Sequence, residues 1–138
     1  MNSLSYSSEA NPDWDKQITC ELLKYVKQLT GLPEDLKAYT IYAHNENTLR
    51  GGVICELHGD ILWIDSIWIE PSFRKQGIGK QLLQKVFLSG IQSKAKEIQL
   101  HTYFKEAHLF FLKCGFEDVV SIPHWKWGLT CHLMRKCL

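Results

Sequence analysis

No charge of either sign dominates this 138-residue chain: 16 Lys and Arg stand against 15 Asp and Glu, a formal +1. A nucleic acid or an anionic membrane surface is held by a broad positive field, and a near-neutral chain provides none. Any anion it binds is therefore bound locally. Long hydrophobic runs are missing too. No stretch approaches the roughly 18–20 apolar residues that cross a bilayer, and the opening MNSLSYSSEANPDWDK lacks the apolar core of a secretory signal. Repeats, low-complexity tracts and linkers are absent. The cysteines, at 20, 55, 114, 131 and 137, are odd in number and dispersed, with no CxxC pair and no His/Cys set at zinc-finger spacing. These absences predict a reduced, cytoplasmic, soluble protein with no nucleic-acid or membrane partner and no metal. One domain is expected over residues 1–138, with 1–12 as a flexible lead-in.

What is present is material for a core, 45% hydrophobic and 12% aromatic residues. From about Asp13 to Leu29 the residues Ile18, Leu22, Tyr25, Val26 and Leu29 recur at helical spacing. Asp13 or Asp15 is placed to cap this helix, and Gly31 with Pro33 to close it. LKAYTIYA, GGVICELH and ILWIDSIWI follow as three strands of an antiparallel meander, separated by ENTLRGG and HGD as turns. The third run, Ile61 to Ile69, is apolar almost throughout and predicts a central strand buried on both faces. QGIGKQLLQKVFLSG then reads as a helix whose inward stripe is Ile78, Leu82, Leu83, Val86 and Phe87. EIQLHTY is a strand, KEAHLFFLKCG a short helix ending at Gly115, and FEDVVSIP and LTCHLMRK are closing strands. The strand, helix and strand around the second helix predict a parallel pair joined by a crossover. The whole is an α+β domain of order α-β-β-β-α-β-α-β-β, with a mixed, mostly antiparallel sheet of about six or seven strands.

The junction IWIEPSFRKQGIGKQLL carries the chemistry. Gly77 and Gly79 allow a ligand close to the backbone, and the unpaired amides and dipole of a helix's first turn favour an anion there. Between Pro71 and Val86 stand Arg74, Lys75, Lys80 and Lys85 and no acid. Phosphate or pyrophosphate suits such a place. The P-loop pattern GxxxxGK[ST] is absent, as is the third glycine of a dinucleotide fingerprint, so a tight structural turn is the plainer reading of the glycines taken alone.

The pattern Pro71-x-x-Arg74-x-x-Gly77-Ile78-Gly79, preceded by Ile67-Trp68-Ile69 and followed by an amphipathic helix, resembles motif A of the GNAT N-acetyltransferases. EAHLFFLKCGFE is similar to that family's second signature, AxxFYEKxGF, and the order of elements agrees from about Asp15 to the C-terminus. The resemblance implies an acetyl-CoA cleft where the central strand splays from its parallel neighbour. It implies that backbone groups of Ile67, Trp68 and Ile69 bind the pantetheine arm. It also implies that amides from Gln76 through Gly77, Ile78 and Gly79 to Lys80 cradle the pyrophosphate, with Arg74 and Lys75 supplying charge.

Acetyl transfer to an amine needs a base or water relay, because an amine with a pKa near ~10.4 is protonated at neutral pH. Asp65 interrupts the apolar strand two residues before the pantetheine segment and is the first candidate, with Glu70 and Glu56 as competitors. The plainer reading of Asp65 is a buried carboxylate bonded to backbone or to a core tyrosine. By the resemblance, a backbone amide near Ile69 serves the oxyanion. The tyrosine that usually protonates the leaving thiolate falls at Phe111, a departure from the pattern. Tyr103, with His101 on the same strand face, could donate instead; the thiolate could leave unassisted; or the protein binds CoA without turnover. The asparagine often found before the Ala107 signature is also replaced, by Phe104. His101 reads equally as an inert or packing residue.

In IPHWKWG, His124, Trp125 and Trp127 fall in a loop that this fold places near the acceptor. There Trp125 could bind a cationic amine, close a core lid or meet a second copy in a homodimer. His44, His58, His108 and His132 form no motif. From Glu56 to Glu70 there are four acids and no Lys or Arg, directly before the basic segment, an arrangement that sets acid toward an amine and base toward phosphate. The expectation is an acetyl-CoA-dependent N-acetyltransferase acting on a primary amine of a small molecule or peptide, with Glu70 beside the acceptor. A non-catalytic CoA-binding module is the alternative.

Overall fold

A computed structural model describes residues 3–31 and 37–138. They fall into two compact units, 3–31 and 37–138. In the first, helix α1 (Pro12–Thr30) starts one residue earlier than its apolar period suggests. Its cap is Asn11, whose side chain accepts from the Trp14 amide at 3.1 Å, while Asp13 and Asp15 sit in the first turn against the dipole. Gly31 ends it in the left-handed conformation, φ 69°; Pro33 lies outside the described residues.

The second unit is a six-stranded sheet built from β1 (Lys37–Asn45), β2 (Thr48–His58), β3 (Ile61–Ile69), β4 (Glu97–Thr102), β5 (Glu117–Lys126) and β6 (Leu129–Cys137). Helix α2 (Ile78–Gln92) joins β3 to β4, and α3 (Lys105–Lys113) joins β4 to β5. The order across the sheet is β1-β2-β3-β4-β6-β5, and β3–β4 is the parallel pair. The expected element order is therefore present. ENTLRGG is not a long turn: Thr48, Leu49 and Arg50 join β2, and Glu46–Asn47 alone turn the chain, closed by the Asn45–Thr48 pair. Likewise β5 runs on through Trp125 to Lys126, so His124 and Trp125 lie on a strand, in an irregular stretch between the Ile122–Cys131 and Lys126–Leu129 pairs.

The core lies between one sheet face and the two helices. Leu82, Leu83 and Val86 of α2 and Phe111 of α3 meet Val53, Cys55, Leu62, Ile64, Ile98, Leu100 and Met134 of the strands. Ile78 and Phe87 complete the α2 stripe from its edges.

β3 is not buried on both faces. Leu62 and Ile64 point into the core, Asp65 and Ser66 are both exposed, and Ile67 and Ile69 turn inward again. The cause is a bulge. Cys55 faces Ile64 and Ile54 faces Ser66, so Asp65 is one residue too many and shifts the period-2 alternation by one. The apolar residues on the opposite face, such as Trp68 at 48% exposed, account for the nearly unbroken apolar run.

Among the described helices none is long and apolar enough to cross a membrane. All five cysteines are free thiols, but they differ in environment. Burial pushes the Cys55 thiol up to about 11, which leaves about one part in a thousand as thiolate at pH 8. A thiol-alkylating reagent at that pH is expected to label the exposed Cys20 and Cys137 in the native protein and to reach Cys55 only after denaturant is added. Mass spectrometry showing Cys55 labelled at a comparable native rate would refute this burial.

Candidate functional site

Parallel pairing between β3 and β4 is short, comprising Ile61 with Glu97, Leu62 with Ile98 and Trp63 with Gln99. Beyond Trp63 the strands part. β3 stays paired with β2 as far as Gly51–Ile69, and β4 with β6 as far as Thr102–His132. The segment Ile64 to Ile69 thus borders a cleft with no strand on its β4 side. Polar backbone groups on such an edge need a partner from elsewhere, which is what an extended ligand arm supplies. Ile67 and Ile69 meanwhile pack their side chains against the core.

A short 3-10 turn, Pro71–Phe73, leads from β3 into the glycine segment. Lys75 (φ 59°) and Gly77 (φ 83°) both adopt left-handed conformations. The first helical bond of α2 runs from the Gln81 amide to the Gly77 carbonyl at 3.0 Å. Among the described residues no backbone carbonyl accepts from the amides of Lys75 through Lys80. These consecutive free donors at the N-terminus of a 15-residue helix make an anion cradle. A Cβ at Gly77 would meet nothing within 4 Å, so that side of the loop is open. At Gly79 a Cβ would lie 3.0 Å from Cζ of Phe110 on α3. Gly79 therefore also lets α3 pack on α2, a structural demand that the motif alone does not reveal.

Charge around the junction divides cleanly. Arg74 donates from Nε to the Ile69 carbonyl at 2.9 Å, folding its side chain over the strand end. Among the described residues Arg74, Lys75, Lys80 and Lys85 have no carboxylate partner. Three of the four acids before them are paired. Glu70 meets Arg50 at 2.7 Å, Asp60 meets Lys96 at 3.2 Å, and Glu56 meets His58 at 2.9 Å. Asp65 has a cation beside it in no described pair and accepts from the adjacent Ser66 hydroxyl at 3.0 Å.

These partners sort the expected site residues. Glu70 is held by Arg50, which also donates to Asn45 at 2.8 Å and lies over the Phe73 ring at 4.8 Å. Arg50 thus ties β2 to the start of the glycine segment, a role that a separation of 20 positions conceals in the sequence. Glu56 faces Trp63, at the paired end of β3. With His58, Ile61, Trp63 and Gln99 it lines a shallow depression of about 390 Å³, away from the splay. Asp65, by contrast, is the first residue after Ile64 beyond the parallel rungs, and it sits on the bulge, a feature that re-aims side chains.

His101 and Tyr103 do share a face. Their rings lie edge to face at 5.3 Å, in a chain that runs from Trp63 (5.2 Å from His101) to Trp127 (5.8 Å from Tyr103). The tryptophan brought to Tyr103 is therefore Trp127, on the β5–β6 turn; Trp125 is 48% exposed on β5. Phe111 is 3% exposed and packs against Phe110 and Phe116. The position where the family signature has tyrosine is here a core position with nothing to donate. The histidines also need correction: His108 and His132, read as forming no motif, come together with Asp118.

The sequence profile of the acetyltransferase (GNAT) domain matches residues 37–118, more than half of the chain. The protein belongs to this family. It is similar to a blasticidin-S acetyltransferase of Streptomyces morookaense, with 28% identity over 108 residues that cover 73% of this chain and 76% of the relative. Among solved structures, an acetyltransferase from Bacillus cereus superposes with a TM-score of 0.85 at 20% identity, covering 97% of this chain and 98% of that one. An aminoglycoside 6'-N-acetyltransferase complexed with coenzyme A superposes with a TM-score of 0.67 at 16% identity, covering 92% of each. At these identities the structural likeness establishes the fold.

The contact between Gly79 and Phe110 is testable on stability alone. Gly79→Val is expected to overpack the α2–α3 contact and cost about 1–3 kcal/mol. In a double-mutant cycle with Phe110→Leu the two changes should couple by about 1 kcal/mol or more, read from urea unfolding. Strict additivity would mean that the two residues do not press on each other.

Proposed function

We propose that the protein transfers an acetyl group from acetyl-CoA directly to a primary amine of a small molecule or peptide. The observation that carries this reading is the pairing of an open β3 edge with the row of free amides from Lys75 to Lys80, bounded by basic residues that have no acidic partners among the described residues. The edge at Ile67, Trp68 and Ile69 would take the polar amide groups of the pantetheine arm. The amides from Gln76 to Lys80 would take the pyrophosphate, with Lys75 and Lys80 adding charge; Arg74 would stiffen the strand end through the Ile69 carbonyl. A thioester supplies an activated acyl carbon, and the cleft's task is to hold it beside the amine.

In the transfer the neutral amine nitrogen attacks the thioester carbonyl carbon. The C–N bond forms as the carbonyl becomes an oxyanion, which a backbone amide of the splayed strand near Ile69 would stabilise. Collapse of the adduct breaks the C–S bond, the amine's extra proton passes to a base, and the thiolate takes up a proton as CoA departs. Asp65 suits the base because, of the four acids in the run, its carboxylate is the one not paired with a basic side chain among the described residues. Tyr103 is the donor for the thiolate, since Phe111 cannot act; His101 packs beside it and holds the ring in place. Trp125, Trp127 and the backbone around Glu70 would border the acceptor. The relative's action on blasticidin S and the structural neighbour's on aminoglycosides make small-molecule amines the first acceptors to try.

Release of thiol from acetyl-CoA would be followed across a panel containing blasticidin S, an aminoglycoside, a polyamine and peptides with free N-termini. At least one is expected to raise release well above background. With that acceptor, Asp65→Asn should lower kcat/KM by about 100-fold or more, and Tyr103→Phe by about tenfold or more, with acetyl-CoA affinity kept. If acetyl-CoA binds and no acceptor stimulates release, the buried Phe111 tips the assignment to a CoA-binding module without turnover. If both variants retain full activity, the base and acid are misassigned.

A further inference from the structure

Independently of the acetyl-transfer reading, we propose that His108, Asp118 and His132 form a binding site for a divalent transition-metal ion of the zinc class, which fastens α3 to the β5–β6 hairpin. The three residues come from three elements, α3, β5 and β6. One ligand atom from each, a histidine nitrogen or a carboxylate oxygen, lies within 4.8 Å of the others. His108 Nε2 is 2.8 Å and 3.0 Å from the two Asp118 oxygens, and His132 Nδ1 is 4.0 Å from Oδ1. The side chains of His108 and His132 are only 16% and 20% exposed, and that of Asp118 37%, so the group is sheltered yet reachable.

The donor chemistry selects the ion. Two imidazoles and one carboxylate suit zinc, nickel, copper or cobalt rather than calcium or magnesium, which prefer all-oxygen shells. Three protein ligands leave a further position for water. Among the described residues no lysine or arginine pairs with Asp118, so its negative charge is directed wholly at the two histidines. The two imidazole rings are stacked with centroids 3.6 Å apart and planes 3° from parallel. Ring lone pairs lie in the ring planes, so a shared ion requires one ring to tilt out of the stack. The ion's bonds would take the place of the His108–Asp118 hydrogen bond and of the 2.8 Å contact between Ser121 Oγ and His132 Nδ1. Ser121, directly opposite His132 across β5–β6, would then hydrogen-bond within the shell around the ligands.

Two irregularities of the fold build the site. A register shift between Asp118 and Val120 leaves Val119 as an extra residue on β5, so Asp118 and Ser121 both come to the His132 side. On α3, His108 lies two residues before Phe110, whose ring abuts Gly79. An ion at His108 would therefore fix the helix that supports the anion cradle, acting as a structural clasp outside the transfer chemistry.

Cobalt(II) titration of the reduced full-length protein reads the site directly. The expected result is one equivalent bound, with visible d–d bands, no thiolate-to-cobalt charge-transfer band, and displacement by zinc. At a zinc concentration about 100 times Kd, the thermal midpoint should rise by about 5–10 °C. His108→Gln, His132→Gln and Asp118→Asn should each weaken binding at least about tenfold, provided that each variant unfolds cooperatively without metal. X-ray absorption at the zinc edge of the unaltered protein needs no variant. It should show nitrogen and oxygen neighbours at about 2.0–2.1 Å and no sulfur at about 2.3 Å. Absence of stoichiometric binding, a sulfur shell, or unchanged affinity in folded histidine variants would each overturn the site.

Discussion

Three rungs of parallel pairing, Ile61–Glu97 to Trp63–Gln99, join the two halves of the sheet, and the rest of the second unit is arranged around what happens at their end. At the closed side the junction is reinforced. The Lys96 amide donates to the Asp60 carbonyl at 2.7 Å, the Leu138 amide to the Lys96 carbonyl at 3.0 Å, and the Lys96 ammonium meets the Asp60 carboxylate. At the open side nothing strand-like among the described residues fills the gap between Ile64–Ile69 and Leu100–Thr102. Backbone donors and acceptors cannot be left dry without cost, so the fold either exposes them to water or offers them to a ligand. Helix α2 bridges the halves on one face and delivers its unpaired first-turn amides to the mouth of that gap, so strand edge and anion cradle are two consequences of one crossover.

α3 is coupled to this arrangement through a close contact with α2 and through the core. Phe110 fits against Gly79 only because that glycine has no side chain, and Phe111, the next residue, is sealed in the core beside Phe116. One residue of the pair sets the helix against the cradle while the other anchors it to the sheet. A hydroxyl at 111 would have to reach the cleft or find a buried partner. Phenylalanine removes that demand, and with it the usual proton donor. The edge-to-face series Trp63, His101, Tyr103 and Trp127 then becomes the part of the sheet where a phenol is held in a defined orientation beside the splayed β4.

The order of elements, the parallel pair and the stripe on α2 were legible because each rests on local periodicity. So was the glycine junction, since Gly77 and Gly79 stand beside an acid-free basic run. What escaped depends on a slip of one residue or on long separation. The bulge at Asp65 converts an apolar run from doubly buried to alternating, and no residue type in ILWIDSIWI announces it. The Arg50–Glu70 pair spans twenty residues. His108, Asp118 and His132 meet only after α3, β5 and β6 have been placed and a second bulge has shifted β5. The extent of β5 through Trp125 was concealed by Pro123, His124 and the two tryptophans, which read as a loop in isolation yet lie along an edge strand, where a missing amide is tolerated.

The charge pattern shows how placement refines composition. As a run, Glu56, Asp60, Asp65 and Glu70 suggested a field favourable to an amine. In three dimensions two of these charges are offset by Lys96 and Arg50, Glu56 is bonded to the His58 ring, and Asp65 alone has no basic side chain paired with it among the described residues, at the point where β3 leaves β4. The basic run behaves in the opposite way, because its cations gain no acidic partners among the described residues, and Lys75 and Lys80 remain available for an anion. Around the junction, among the described residues, the charges thus resolve into three acids with basic partners, Asp65 without one at the cleft, and bases without acidic partners at a helix N-terminus. Surface pairs contribute little stability individually, so the absence, among the described residues, of ion-pair partners for Asp65, Lys75 and Lys80 costs the fold little. The same absence leaves those groups free for the roles proposed for them, so folding and the proposed transfer do not compete for them.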